Sequence, residues 1–191
     1  KIFDGKNKLE GLPATYVEND TEAKTLEIVL EDKLINSEMI LSYTIFNNYD
    51  AITRNVKFVN NGETSLSLTR ALSMCLDWPD DDYEMIHLSG TWTRERHIKT
   101  RKLEHGVQEI YSARGASSPH HNPFIALKRP NTDEFHGEVF GFNLVYSGNF
   151  LAQVEVDHYD VSRVLLGINP FDFSWKLEKG ETFQTPEAVM V

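Results

Sequence analysis

The sequence predicts an all-β fold of two antiparallel sheets packed face to face, and three observations carry that reading. Apolar and polar residues alternate with period two through most segments, turn-forming residues recur between those runs, and no segment keeps apolar residues at helical spacing over the roughly ten residues a stable helix needs. Taken in chain order, "TLEIVLE" reads as a strand because Leu26, Ile28 and Leu30 alternate with charged or polar partners, although Val29 breaks the pattern. "MILSYTIF" sets Met39, Leu41, Tyr43 and Ile45 on one face, and "ITRNVKFVN" spaces Ile52, Val56 and Phe58 among polar residues. Further runs follow at "TSLSLTRALSMCL", "HIKTRKL", "VQEIYSA", "FIALKR", "EVFGFNLVYS", "LAQVEVDHY" and "SRVLLGI", rich in the branched and aromatic residues that suit a pleated surface. Turn chemistry divides them at "NNGE" (60–63), "WPDDD" (78–82), "RPNTDEFHG" (129–137), "SGN" (147–149) and "NPFD" (169–172). "NNGE" between two alternating runs is the strongest hairpin signal.

At 191 residues, 40% hydrophobic and 25% charged, the chain is sized for one domain whose core needs no disulfide or metal. The single cysteine, Cys75, sits in "ALSMCLDW" and is expected as a small buried thiol. A net charge of −10 argues against nucleic acid and anionic membrane as partners, since both attract concentrated positive charge. No apolar stretch approaches the ~20 residues of a membrane span. A soluble, cytoplasmic protein is expected. The opening without Met and the apolar end "PEAVMV" suggest an excised piece of a longer chain.

Chemical signatures are few. His120 and His121 in "SSPHHNPF" are neighbours, so on a strand they point to opposite faces and are poorly placed to share an ion. Pro119 and Pro123 bracket them and favour an extended loop. Asp77, Asp80, Asp81 and Asp82 cluster around "DWPDDD", but acids in a solvated turn have nothing to raise one pKa above another, as a catalytic pair requires. No nucleophile elbow or phosphate loop occurs, and no catalytic residue, metal or cofactor is expected. The aromatic and polar stretches "GTWTRER", "YSGNF" and "DFSWKL" suit carbohydrate, whose C–H faces pack on aromatic rings and whose hydroxyls suit carboxylates, amides and arginine.

The blocks "GLPATYV", "LEIVLED", "RALSMCLDWP", "DYEMIHLSGTWTRER", "RGASSPHHNPFIAL", "GEVFGFNLVYSGNFLAQVEVD" and "GINPFDFSWKLEKGETFQTPEAVMV" occur in this order over nearly the whole chain. In order and spacing they resemble the amino-terminal region of bacterial α-galactosidases of glycoside hydrolase family 36. The resemblance implies a two-sheet antiparallel β-supersandwich over residues 1–191, truncated at its start because "KIFDGKNKLEGLPATYV" is similar to the middle of the family's domain. It also implies that the catalytic (β/α)8 barrel, with its nucleophile and its acid/base aspartate, is absent from this piece, which alone is inactive.

The resemblance further implies a retaining hydrolase of terminal α-galactosyl groups in sugars such as raffinose and melibiose. That enzyme is a homo-oligomer, a tetramer at full length, whose amino-terminal domain supports the barrel and walls a neighbour's pocket. By motif match, Trp92 is the substrate-binding residue, while Arg94, Glu95 and Arg96 receive no role. Two other readings stand beside this one: a stand-alone carbohydrate-binding module, and an aldose-epimerase-like sandwich, which needs a converging His and Glu.

Overall fold

The computed structural model describes residues 1–191, and sixteen strands carry the chain, with a single 3-10 turn at Asp20–Glu22. In order they are β1 (Ile2–Asp4), β2 (Ala23–Asp32), β3 (Ser37–Phe46), β4 (Ile52–Asn60), β5 (Leu66–Leu68), β6 (Leu72–Trp78), β7 (Glu84–Thr91) and β8 (Arg94–Lys102). The second half holds β9 (Gly106–Tyr111), β10 (His121–Lys128), β11 (Val139–Leu144), β12 (Phe150–Val156), β13 (Ser162–Ile168), β14 (Trp175–Leu177), β15 (Thr182–Gln184) and β16 (Ala188–Met190). A ten-stranded sheet runs β1-β2-β3-β4-β16-β11-β10-β7-β8 with β15 also on β4; a four-stranded sheet runs β6-β13-β12-β9; β14 and β5 pair alone. Every pairing is antiparallel, as predicted, and the two expected sheets hold every strand but β5 and β14, which form a small third sheet. No helix is long and apolar enough to cross a membrane.

Alternation decides what lies between the sheets. Met85, Ile125, Leu127, Phe142 and Leu144 of the large sheet meet Met74, Ile110, Phe150, Val154, Val164 and Leu166 of the small one in a cluster of sixteen buried residues. Trp78 closes its rim, edge-on to Phe140 and Phe142 at 5.2 and 5.6 Å between ring centroids. No residue of β1, β2 or β3 belongs to this cluster. Those strands form a wing whose inward rows, Leu30–Met39–Phe58 and Ile28–Leu41–Val56, continue the apolar face beyond the small sheet.

The opposite face of the wing is polar and is strapped by the N-terminal segment. Lys6 Nζ lies 2.5 Å from Glu187 Oε1, and Thr15 donates to Glu187 Oε2 from both its amide (2.7 Å) and its hydroxyl (2.8 Å). Glu187 is fully buried, so the ammonium and the two donors replace the water it loses. Nearby, buried Thr25 donates to the Gly5 carbonyl at 2.7 Å and meets the Thr44 hydroxyl at 2.9 Å.

Several expectations require correction. "NNGE" turns the chain but forms no hairpin, because β4 pairs with β3, β15 and β16, whereas β5 pairs with β14. Asn60 explains this: its side-chain amide donates to the carbonyls of Thr64 and Leu177, steering the chain across to β14. Cys75 is exposed, not buried, since Met74, Leu76 and Trp78 take the inward positions of β6 and leave Cys75 facing out. "TSLSLTRALSMCL" is two strands in different sheets, and "EMIHLSGT", unread as a strand, is β7. The His pair is not all loop: β10 begins at His121 and passes through Pro123, where the register with β7 is irregular.

Candidate functional site

"GTWTRER" lies at the tip of the β7–β8 hairpin. Thr91 pairs with Arg94, leaving Trp92 and Thr93 as the connection, and an irregularity between Ser89 and Thr91 accommodates one extra residue on β8. Two residues adopt left-handed backbone, Thr93 (φ 64°) and Arg96 (φ 60°), which costs an L-residue roughly 1–2 kcal/mol each. Contacts hold them there. Glu95 Oε1 accepts the Thr93 amide at 2.7 Å, and Gly90 N donates to the His120 carbonyl at 3.1 Å. Gly90 has no alternative, because a Cβ there would stand 2.1 Å from the Arg94 carbonyl oxygen and 2.8 Å from Glu95 Cα.

This anchoring presents Trp92 to solvent, 82% exposed, on a hydrogen-bonded turn. The other two tryptophans behave differently: Trp78 packs on the core, and Trp175 leans on Phe183 at 5.2 Å. Strand β8 is the free edge of the large sheet, is exposed along its whole length, and carries Arg94, Arg96, Lys99, Arg101 and Lys102 against a single acid, Glu95. In a chain of net charge −10 this is a concentrated positive strip. Of the motif's three charged residues, Glu95 locks the turn, while Arg94 and Arg96 project from it.

Behind the hairpin lies a histidine pair that sequence reading missed. His87 of β7 is buried, with its ring 5.8 Å from that of His121, and Arg101 Nε donates to His87 Nε2 at 3.1 Å. The Nδ1 atoms of both histidines are buried without a hydrogen-bond partner. Burial first, then the Arg101 charge, pulls the His87 pKa down to about 4, and burial also lowers that of His121. Both rings are therefore neutral near neutrality. The available signal was the alternation of Met85 and His87, legible only once "EMIHLSGT" is read as a strand.

The remaining candidates resolve into structural contacts. Asp77 is gripped by Arg163 (2.6 and 3.1 Å) and Asp80 by Arg129 (2.6 and 3.2 Å); these hydrogen bonds hold both carboxyls below the usual range, the reverse of what a general acid needs. Arg129 also bonds Glu138 and stacks 3.9 Å from the Tyr83 ring. Asp81, His105 and Asp160 bring three potential metal-binding atoms within 4.8 Å, but His105 and Asp160 already pair at 2.7 Å on the surface. His120 turns away from His121 and toward Arg114, so the adjacent pair indeed parts. The hydrogen-bonded histidines take arginine or aspartate partners: His87 with Arg101, His105 with Asp160, His120 with Arg114 and His136 with Asp133. In "YSGNF", Phe150 is core rather than surface.

Comparison with known proteins agrees with this architecture. The chain is 58% identical over all 191 residues to the α-galactosidase AgaA of Geobacillus stearothermophilus and 44% identical over the same span to α-galactosidase 1 of Pediococcus pentosaceus, in each case covering 26% of the relative. It thus spans about a quarter of the length of these relatives. Crystal structures of AgaA variants in complex with stachyose and with raffinose superpose with a TM-score of 0.98, covering 100% of this chain and 27% of theirs. A family model, the glycosyl hydrolase family 36 N-terminal domain, matches residues 1–178, and the chain belongs to that family.

Proposed function

We propose that this chain serves as the non-catalytic N-terminal domain of a retaining α-galactosidase, supporting a barrel that carries the chemistry and lending Trp92 to a galactoside pocket. The observation that carries the reading is the hairpin tip, where a tryptophan is held almost fully in solvent by a strained, well-bonded turn. Solvent is an unfavourable place for an indole, and its flat face suits the C–H face of galactose. Relatives whose structures hold raffinose and stachyose support a galactosyl oligosaccharide as the substrate class. A tetramer brings the hairpin of one subunit to a neighbour's pocket, and the uncovered wing and the positive β8 edge give such an assembly surfaces to use. An exposed lone thiol at Cys75 fits a reducing compartment, the cytoplasm.

The test is Trp92→Ala in the full-length enzyme. Because Trp92 buries little within its own domain, melting temperature and oligomeric state should hold while kcat/KM for raffinose falls by about tenfold or more, the equivalent of roughly 1.4 kcal/mol. Unchanged kinetics in an intact assembly would remove Trp92 from the pocket.

A further inference from the structure

An opening lies on the outer face of the small sheet. Arg70, Glu109, Tyr111, Leu151, Gln153 and Phe171 line a cavity of about 470 Å³, within the usual range for ligand pockets. Register builds its floor: Tyr111 of β9 lies opposite Leu151 of β12, and in the next outward row Glu109 lies opposite Gln153. One row thus offers a ring beside an apolar surface, the other a carboxylate beside an amide. The wall is Phe171, in the turn after β13. Buried Asn169 fixes that turn by accepting the Phe171 amide at 2.9 Å and donating to the Ser112 carbonyl at 2.9 Å, which ties the Phe171 turn to the segment after Tyr111.

Gln153 identifies the chemistry. It is only 9% exposed, and its amide makes no hydrogen bond within the chain. A primary amide can make four hydrogen bonds, so this one presents both donors and acceptors to a ligand entering the cavity. The Glu109 carboxylate and the Arg70 guanidinium are likewise unbonded within the chain and face the same space. Phe171 is 68% exposed and Tyr111 half exposed. An anionic ligand would meet Glu109, a metal would find one carboxylate, and a purely apolar ligand would leave Gln153 unmatched.

We propose that this cavity is a saccharide-binding site distinct from Trp92, with Tyr111 and Phe171 packing on pyranose C–H faces and Gln153, Glu109 and Arg70 bonding hydroxyls. It stands on residues other than the hairpin and does not depend on the role given to Trp92. The experiment is an NMR titration of the isotopically labelled 191-residue chain with raffinose, whose core is closed by its own residues. Saturable shifts are expected at Tyr111, Gln153 and Phe171 with a dissociation constant in the millimolar range. Phe171→Ala, at an exposed position, should weaken binding about tenfold, Gln153→Leu should abolish it, and Trp92→Ala should leave it unchanged. No saturable shift up to the solubility of raffinose, or shifts confined to the Trp92 hairpin, would overturn the proposal. If Gln153→Leu fails to fold, unweakened binding by Phe171→Ala overturns it as well.

Discussion

His87 shows how one side chain ties the hairpin to solution conditions. Its folded pKa, about 4, lies below the ordinary value of 6.5, so between these values the unfolded chain binds the extra proton. Stability is therefore full above pH 6.5, declines as pH falls toward 4, and levels off below. The loss from this group is on the order of 3 kcal/mol, with His121 acting in the same direction. Exposed His105 acts oppositely: Asp160 raises its pKa, so its small contribution is present below the ordinary histidine value and lost as pH rises through the raised one. His87→Gln keeps an acceptor for Arg101 but does not titrate, and melting temperatures measured from pH 7 to 4 should fall less steeply than in the parent chain. The polar neighbours of Trp92 in "GTWTRER" are unusual for a core position but do not by themselves exclude one; it was the family resemblance that pointed this side chain, 82% exposed, outward. The pairing of His87 with His121 was not legible in the sequence, since it joins residues 34 apart through a cross-strand register that no local pattern encodes.

Two elements hold their places through contacts that substitution can isolate. The β7–β8 hairpin depends on close backbone approach at Gly90, and Gly90→Ala forces Arg94 and Glu95 away. A loss of about 1–3 kcal/mol is expected, with the cross-strand NMR contact between Thr91 and Arg94 broken while core signals persist. The N-terminal strap depends on Lys6, and Lys6→Met leaves the Glu187 carboxylate buried with only Thr15 as donor. Removing one partner of a buried pair costs about 3–5 kcal/mol, read as a lower urea midpoint, and adding Glu187→Gln should restore much of it. A Lys6→Met chain with an unchanged midpoint would show that the strap does not depend on this pair. Strand positions were readable wherever alternation was clean, as in β3 and β12. The strap was not, because "GKNKLEGLPATYV" has no period and its anchor, Glu187, lies 181 residues beyond Lys6.

At the scale of the molecule, the all-β class followed from period-two patterning, but sheet membership did not. Strands as short as β5, β14, β15 and β16 carry too few residues to show a period, and their partners are set by side chains such as Asn60 that bridge distant segments. The inward apolar rows were visible in the sequence, yet nothing there revealed that the small sheet covers only part of them. That partial cover makes stability uneven. Amides of β2 and β3 hang on hydrogen bonds backed by Leu26, Ile28, Leu30 and Ile45, all partly in water, whereas those of β10 and β12 lie over the closed cluster. Hydrogen–deuterium exchange of the chain should find β2 and β3 opening by local fluctuations while β10 and β12 exchange only on global unfolding. Equal protection in all four strands would contradict this. The wing is then the region whose order depends most on what binds over it, so a partner that covers its inner face would slow its exchange without touching the core.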